Sequence, residues 1–194
     1  MNLPNFLTIL RVLLTIGFVI LLTRSGWVPI FFATLIFMIA SFTDFYDGYY
    51  AKKYNLISDF GKIMDPIADK FLILAAFFIF VLMEIIAQWM FYIIFAREFI
   101  VTGSRILAMK KGKILAAERA GKYKTLLQSF AVFIILIFIL LQKAGLTLYW
   151  TEAFKSLWFI GIYILMLLTV SLTLFSGISY LWHNRKEFTL IAKY

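Results

Sequence analysis

Residues 28–53, VPIFFATLIFMIASFTDFYDGYYAKK, decide the fold: an apolar run carries straight into Asp44 and Asp47 before it stops at Lys52 and Lys53. A helix needs about 20 apolar residues to cross the roughly 30 Å hydrocarbon core of a bilayer. Val28–Phe42 alone makes about 22 Å of helix at roughly 1.5 Å per residue, which is too short. A spanning helix here must therefore continue past both carboxylates and hold them beneath the membrane surface. Carboxylates at that depth are costly and mark function.

The rest of the chain agrees with a membrane setting. Of 194 residues, 63% are hydrophobic, 19% aromatic and 15% charged, with a mean hydropathy of +0.94. Soluble domains are about 45–50% apolar and about 25% charged, so this composition excludes a soluble globular domain, a disordered chain and a nucleic-acid module. Apolar runs at Pro4–Thr23, Val28–Lys53, Pro66–Ile85, Trp89–Met109, Tyr123–Leu141 and Phe154–Trp182 predict six spans. They read as one all-α domain over residues 1–194, without a linker or an internal repeat. Arg11 within the first run argues against a cleaved signal peptide. With cytoplasmic termini, only Arg24, Lys143 and Lys155 of the 19 basic residues fall on the far side, as the positive-inside rule favours. Trp27, Trp89, Trp150 and Trp158 then sit at far-side ends and Trp182 at a cytoplasmic end, the pattern of interfacial belts. His183 is assigned to the same interface.

Asp44 and Asp47 are spaced i,i+3 and Asp65 and Asp69 i,i+4, so each pair projects from one helix face. Asp65-Pro66 reads as an N-cap with proline at the first helical position. The stretch Lys53–Met64 reads as a short cytoplasmic loop. A hairpin of two helices would gather the four carboxylates near the cytoplasmic interface, where they repel unless cations join them. There is no cysteine and one histidine, and oxygen ligands alone select Mg²⁺, Mn²⁺ or Ca²⁺. Paired divalent ions are a recurring device of phosphoryl transfer. Asp59 reads as a solvated cap.

These residues resemble the signature of the CDP-alcohol phosphotransferase family, D-x2-D-G-x2-A-R-x8-G-x3-D-x3-D. Asp44, Asp47, Gly48, Ala51, Gly61, Asp65 and Asp69 match, and Lys52 replaces the arginine. The resemblance implies Asp44, Asp47, Asp65 and Asp69 as ligands of two Mg²⁺ or Mn²⁺ ions, and Asp69 also as the base that takes the acceptor's proton. It sets the CDP-lipid against Gly48, Lys52, Ser58 and Gly61. Lys52 supplies a point charge where arginine would offer a bidentate fork. Asn2–Asn5 with Thr8 and Arg11, Ala96–Glu98 with Arg105, Gly121–Thr125 with Gln128, and Ser176-Gly177 with Tyr180 are similar to the bacterial branch that accepts glycerol 3-phosphate. Asn5 and Thr8 are added to the CDP-lipid site on that ground. The implied reaction moves a phosphatidyl group from CDP-diacylglycerol to glycerol 3-phosphate, giving phosphatidylglycerophosphate and CMP. A homodimer in the bacterial cytoplasmic membrane is implied as well.

Arg97 and Arg105 lie inside the fourth span and need partners or a ligand. Glu98 and Glu118 are candidate partners. As a ligand site, Arg97, Arg105, Lys113, Lys122 and Lys124 would hold the acceptor's phosphate and aim its free hydroxyl. Lys110 and Lys111 read as a topology signal. Arg11 either touches the CDP-lipid phosphates or snorkels. Serine, inositol phosphate and phosphatidylglycerol are rival acceptors. A cation transporter is the rival from another class, but such sites sit near the midplane at a repeat interface.

Overall fold

Each of the six apolar runs becomes a helix. The computed structural model describes residues 3–54, 59–110 and 119–185, with side chains over 9–43, 70–109 and 121–185. The helices are α1 Leu3–Leu22, α2 Trp27–Tyr54, α3 Asp59–Leu82, α4 Gln88–Lys110, α5 Arg119–Lys143 and α6 Glu152–His183. No strand occurs among the described residues. Lengths run from 20 residues in α1 to 32 in α6, or about 30 to 48 Å of helix. α2 passes through Asp44 and Asp47 and ends at Tyr54, as its short apolar portion requires.

α3 departs from expectation. It starts at Asp59, so Asp65 is not an N-cap and Pro66 lies in the helix and not at its first position. The physical reason is local. A proline at the eighth position of α3 forfeits the bond to the carbonyl of Lys62 and crowds that carbonyl, whereas starting the helix there would unwind everything from Asp59 to Met64. Of the loop expected over Lys53–Met64, residues 53–54 belong to α2 and 59–64 to α3, and 55–58 lie outside the described residues.

Packing follows from where small and large apolar residues fall. α1 lies against α2 and α3, α5 against α2, α3 and α6, and α4 against α3 and α6. Phe18, Phe37, Phe77, Phe80, Ile135 and Met166 form the shared core. Ala33, Ala76 and Ala131 are fully buried, and residues this small let helix backbones approach closely. Thr15, Thr34 and Thr169 each donate the hydroxyl to the carbonyl four residues back, at 2.8 Å. Such back-bonding satisfies a hydroxyl that finds no other partner. The outer surface is apolar too: Leu13, Phe99, Phe175 and Ile178 are each at least 60% exposed.

By length and composition, Gly121–Lys143 and Glu152–His183 can each cross a membrane, while the apolar stretches Ile9–Leu22, Trp27–Thr43 and Lys70–Leu82 are shorter. α4 interrupts its apolar sequence with Arg97, Glu98 and Arg105. The tryptophans divide. Trp27, Trp89 and Trp182 are exposed, as a belt requires. Trp150 and Trp158 instead stack at 5.7 Å, and Trp158 stacks on Phe138 at 5.6 Å. The short 3-10 turn Leu146–Tyr149 brings the chain back toward α6, which folds Trp150 against the core.

Candidate active site

Five helices enclose a cavity of about 320 Å³. Arg11 reaches it from α1, Ser41 from α2, Lys70 from α3, Glu98 and Arg105 from α4, and Lys124 and Gln128 from α5. Its position relative to the aspartates is fixed by the chain. Ser41 stands three residues before Asp44, and Lys70 immediately follows Asp69. The cavity therefore adjoins the segments of α2 and α3 that carry the signature.

One buried carboxylate organises the basic side of this cavity. Glu98 is 3% exposed. It pairs with Lys124, with Lys70 at 3.4 Å and with Arg97 at 3.3 Å. Lys70 also donates to the Thr102 hydroxyl, and Arg97 Nη2 donates to Ser176 Oγ at 2.9 Å. Glu98 thus ties α3 and α5 to α4, and Arg97 extends the tie to α6. Bringing charge out of water is costly unless each group is paired and hydrogen-bonded, and this network supplies both. The Nε atoms of Arg97 and Arg105 are buried without a hydrogen-bond partner among the described residues.

α6 shapes the arginines. Gly177 leaves room for Arg97, because a Cβ there would stand 2.9 Å from Arg97 Cγ. The Arg105 guanidinium lies 5.2 Å from the centre of the fully buried Tyr180 ring, within range of a cation–π contact. Ser104 Oγ donates to the Tyr180 hydroxyl at 3.4 Å. A further polar link runs from the cavity wall into the bundle: Gln128 Nε2 donates to Thr173 Oγ1 at 3.3 Å.

The expected site residues fall in several places. Arg105 and Lys124 line the cavity; Arg97 stands behind it, turned to Glu98 and Ser176. Lys122 is exposed on α5 and is not part of the cavity wall. Asp44, Asp47, Gly48 and Lys52 fall on α2, Gly61, Asp65 and Asp69 on α3, and Asn5 and Thr8 on α1, but their side chains lie outside the described residues. Ser58, Lys113 and Glu118 lie outside the described residues altogether. Of the candidate partners for the arginines, Glu98 pairs with Arg97 and with two lysines. Lys70 was missed as a member of the site. Its signal in the sequence was a lysine inside an apolar span, directly after an aspartate of the signature.

The profile of the CDP-alcohol phosphatidyltransferase family matches residues 1–175. The chain belongs to this family. It is 40% identical over 148 residues to the CDP-diacylglycerol–glycerol-3-phosphate 3-phosphatidyltransferase of Bacillus subtilis, covering 70% of this chain and 77% of that protein. The enzyme of the same name from Rickettsia typhi is 37% identical over 163 residues, or 80% of this chain and 91% of its own. That of Treponema pallidum is 35% identical over 156 residues, 74% and 70% of the two chains.

Proposed function

We propose that this chain is a single-domain, six-span membrane enzyme that transfers the phosphatidyl group of CDP-diacylglycerol to glycerol 3-phosphate. The observation that carries this reading is the cavity itself. Basic side chains from α1, α3, α4 and α5 converge there, directly beside the helix segments that bear the four aspartates. An acceptor with a dianionic phosphate and a free hydroxyl suits such a place, since cations fix one end and a carboxylate stands near the other. The relatives' names agree on that acceptor.

The donor set fits hard divalent cations. Asp44, Asp47, Asp65 and Asp69 offer only oxygen, in two pairs that each span about one helical turn on α2 and α3; there is no cysteine, and the one histidine, His183, closes α6. When bound, Mg²⁺ or Mn²⁺ would neutralise the diphosphate and polarise the attacked phosphorus. The chain's own groups do the rest. Gly48, Lys52, Ser58 and Gly61, with Asn5 and Thr8, hold the CDP-lipid; Arg105, Lys124 and Lys113 serve the acceptor phosphate, backed by Arg97. The Asp69 carboxylate takes the proton of the acceptor's hydroxyl as its oxygen bonds to phosphorus, and the bond to the CMP oxygen breaks. Lys52 offsets the charge on the departing CMP.

The bilayer explains the surface. Exposed apolar side chains on this scale would associate in water, and in lipid they are simply solvated. With the site at the cytoplasmic face, acyl chains stay in lipid while water-soluble substrates arrive from the cytoplasm. A homodimer in the cytoplasmic membrane completes the reading and is checked by the mass of the detergent-solubilised protein. The deciding experiment offers purified protein Mg²⁺ or Mn²⁺ and CDP-diacylglycerol, with glycerol 3-phosphate, serine or inositol phosphate as acceptor, and records CMP release. Release with glycerol 3-phosphate supports the assignment; release only with serine or inositol phosphate overturns it.

A further inference from the structure

We infer that Glu98 is a positioning residue for the acceptor, holding Lys70 and Lys124 at the cavity wall so that both meet a phosphate there; this rests on the reading above. Arg11, Lys70, Arg105 and Lys124 all line the cavity, and the only carboxylate lining it among the described residues is Glu98. Like charges crowded at low dielectric repel strongly, and long lysine side chains left to themselves would swing apart into water. Glu98 prevents this from a buried position between them, with Oε1 on Lys124 and Oε2 on Lys70.

The two lysines are not equivalent. Lys124 is as buried as Glu98, at 3%, whereas the Lys70 side chain is 26% exposed. An ammonium has three donors. Lys70 directs one to Thr102 and one to Glu98, leaving a third for a ligand in the cavity. Among the described residues, Glu98 sets one negative charge against the three cations that it pairs, Lys70, Arg97 and Lys124. A dianionic phosphate is attracted to Lys70 and Lys124 and meets them already in place, not recruited from solution. Arg97 belongs to the frame in this arrangement, tied to Glu98 and Ser176 and packed on Gly177.

Glu98→Gln keeps the size of the side chain and removes the charge. Its KM for glycerol 3-phosphate should rise about tenfold or more, the effect of one lost charged hydrogen bond, while KM for CDP-diacylglycerol stays within about twofold. Glu98→Asp should recover part of the loss. Lys70→Met leaves the Glu98–Lys124 pair and should show the same split, and it carries the test if Glu98→Gln does not fold. Protection against thermal unfolding by inorganic phosphate, seen in the parent protein and weakened in Glu98→Gln, reads the same role without turnover. Equal rises in both KM values, or an unchanged or lower KM for glycerol 3-phosphate, would overturn the inference. Parent protein that is protected by phosphate through Glu98 but releases no CMP with glycerol 3-phosphate would sink the proposed reaction and leave the anion site standing.

Discussion

The acidic and basic sides of this site are built in opposite ways. The four aspartates come from one short piece of chain, residues 44–69, in two pairs each set by the pitch of a helix. The basic side comes from Arg11, Lys70, Arg105 and Lys124, on four helices, with Arg97 behind them, and its two lysines and Arg97 meet only because α3, α4 and α5 pack around Glu98. A local site depends on spacing and a distributed site depends on the fold. Damage to the first should therefore stop the chemistry while the protein stays intact, and damage to the second should weaken acceptor use, stability or both.

The largest effect is expected on the acidic side. Asp69→Asn removes the proposed base, with an expected loss of about 10²–10⁴-fold in kcat and CDP-lipid binding retained. Stopped-time CMP release together with lipid-dependent thermal protection checks both halves of that statement. Undiminished turnover would take Asp69 out of the base role. Chelation should also abolish turnover, and added Mg²⁺ or Mn²⁺ should restore it; activity that survives exhaustive chelation would leave the aspartates without metal work.

The same contrast explains what could be read from the sequence. Six helices were legible because each apolar run is near the length of a membrane crossing, and the aspartate pairs because their periodicity is written within a few residues. Glu98 was legible as a partner of Arg97 because the two are adjacent. Its role with Lys70 and Lys124 was not, since those residues stand 28 positions before it and 26 after it, and no local pattern reports which helices touch. Pro66 misled for a related reason. Local preference favours it at a helix start, but the forfeited hydrogen bond and the crowded carbonyl were outweighed by the turns ahead of it. Trp150 and Trp158 have the composition of an interfacial belt, and only the turn before α6 shows that they stack inward.

On the basic side, Arg105→Ala should raise KM for glycerol 3-phosphate by about tenfold and change that for the CDP-lipid much less. Steady-state kinetics with each substrate varied in turn gives the comparison. Equal changes would mean that the loss of the contact with Tyr180 has loosened α4 against α6, so the distributed site would then be structural throughout.

The smallest effects test that structural component alone, through two glycines of α6. At Gly177 a methyl group would stand 2.9 Å from Arg97 Cγ, a stem atom fixed between the α4 backbone and a guanidinium held by Glu98 and Ser176. Arg97 cannot turn aside without breaking one of those contacts, so Gly177→Ala should destabilise by about 1–3 kcal/mol, in the range of overpacked cores. Gly161 has nothing within 4 Å of the same added atom. There the methyl costs no contact, and alanine's helix preference favours it by up to about 1 kcal/mol. Thermal melting of the two variants in one detergent should therefore move in opposite directions. If both fall, α6 is intolerant of alanine as such. If neither does, Arg97 is free to move and its ties to Glu98 and Ser176 contribute little to holding the basic side together.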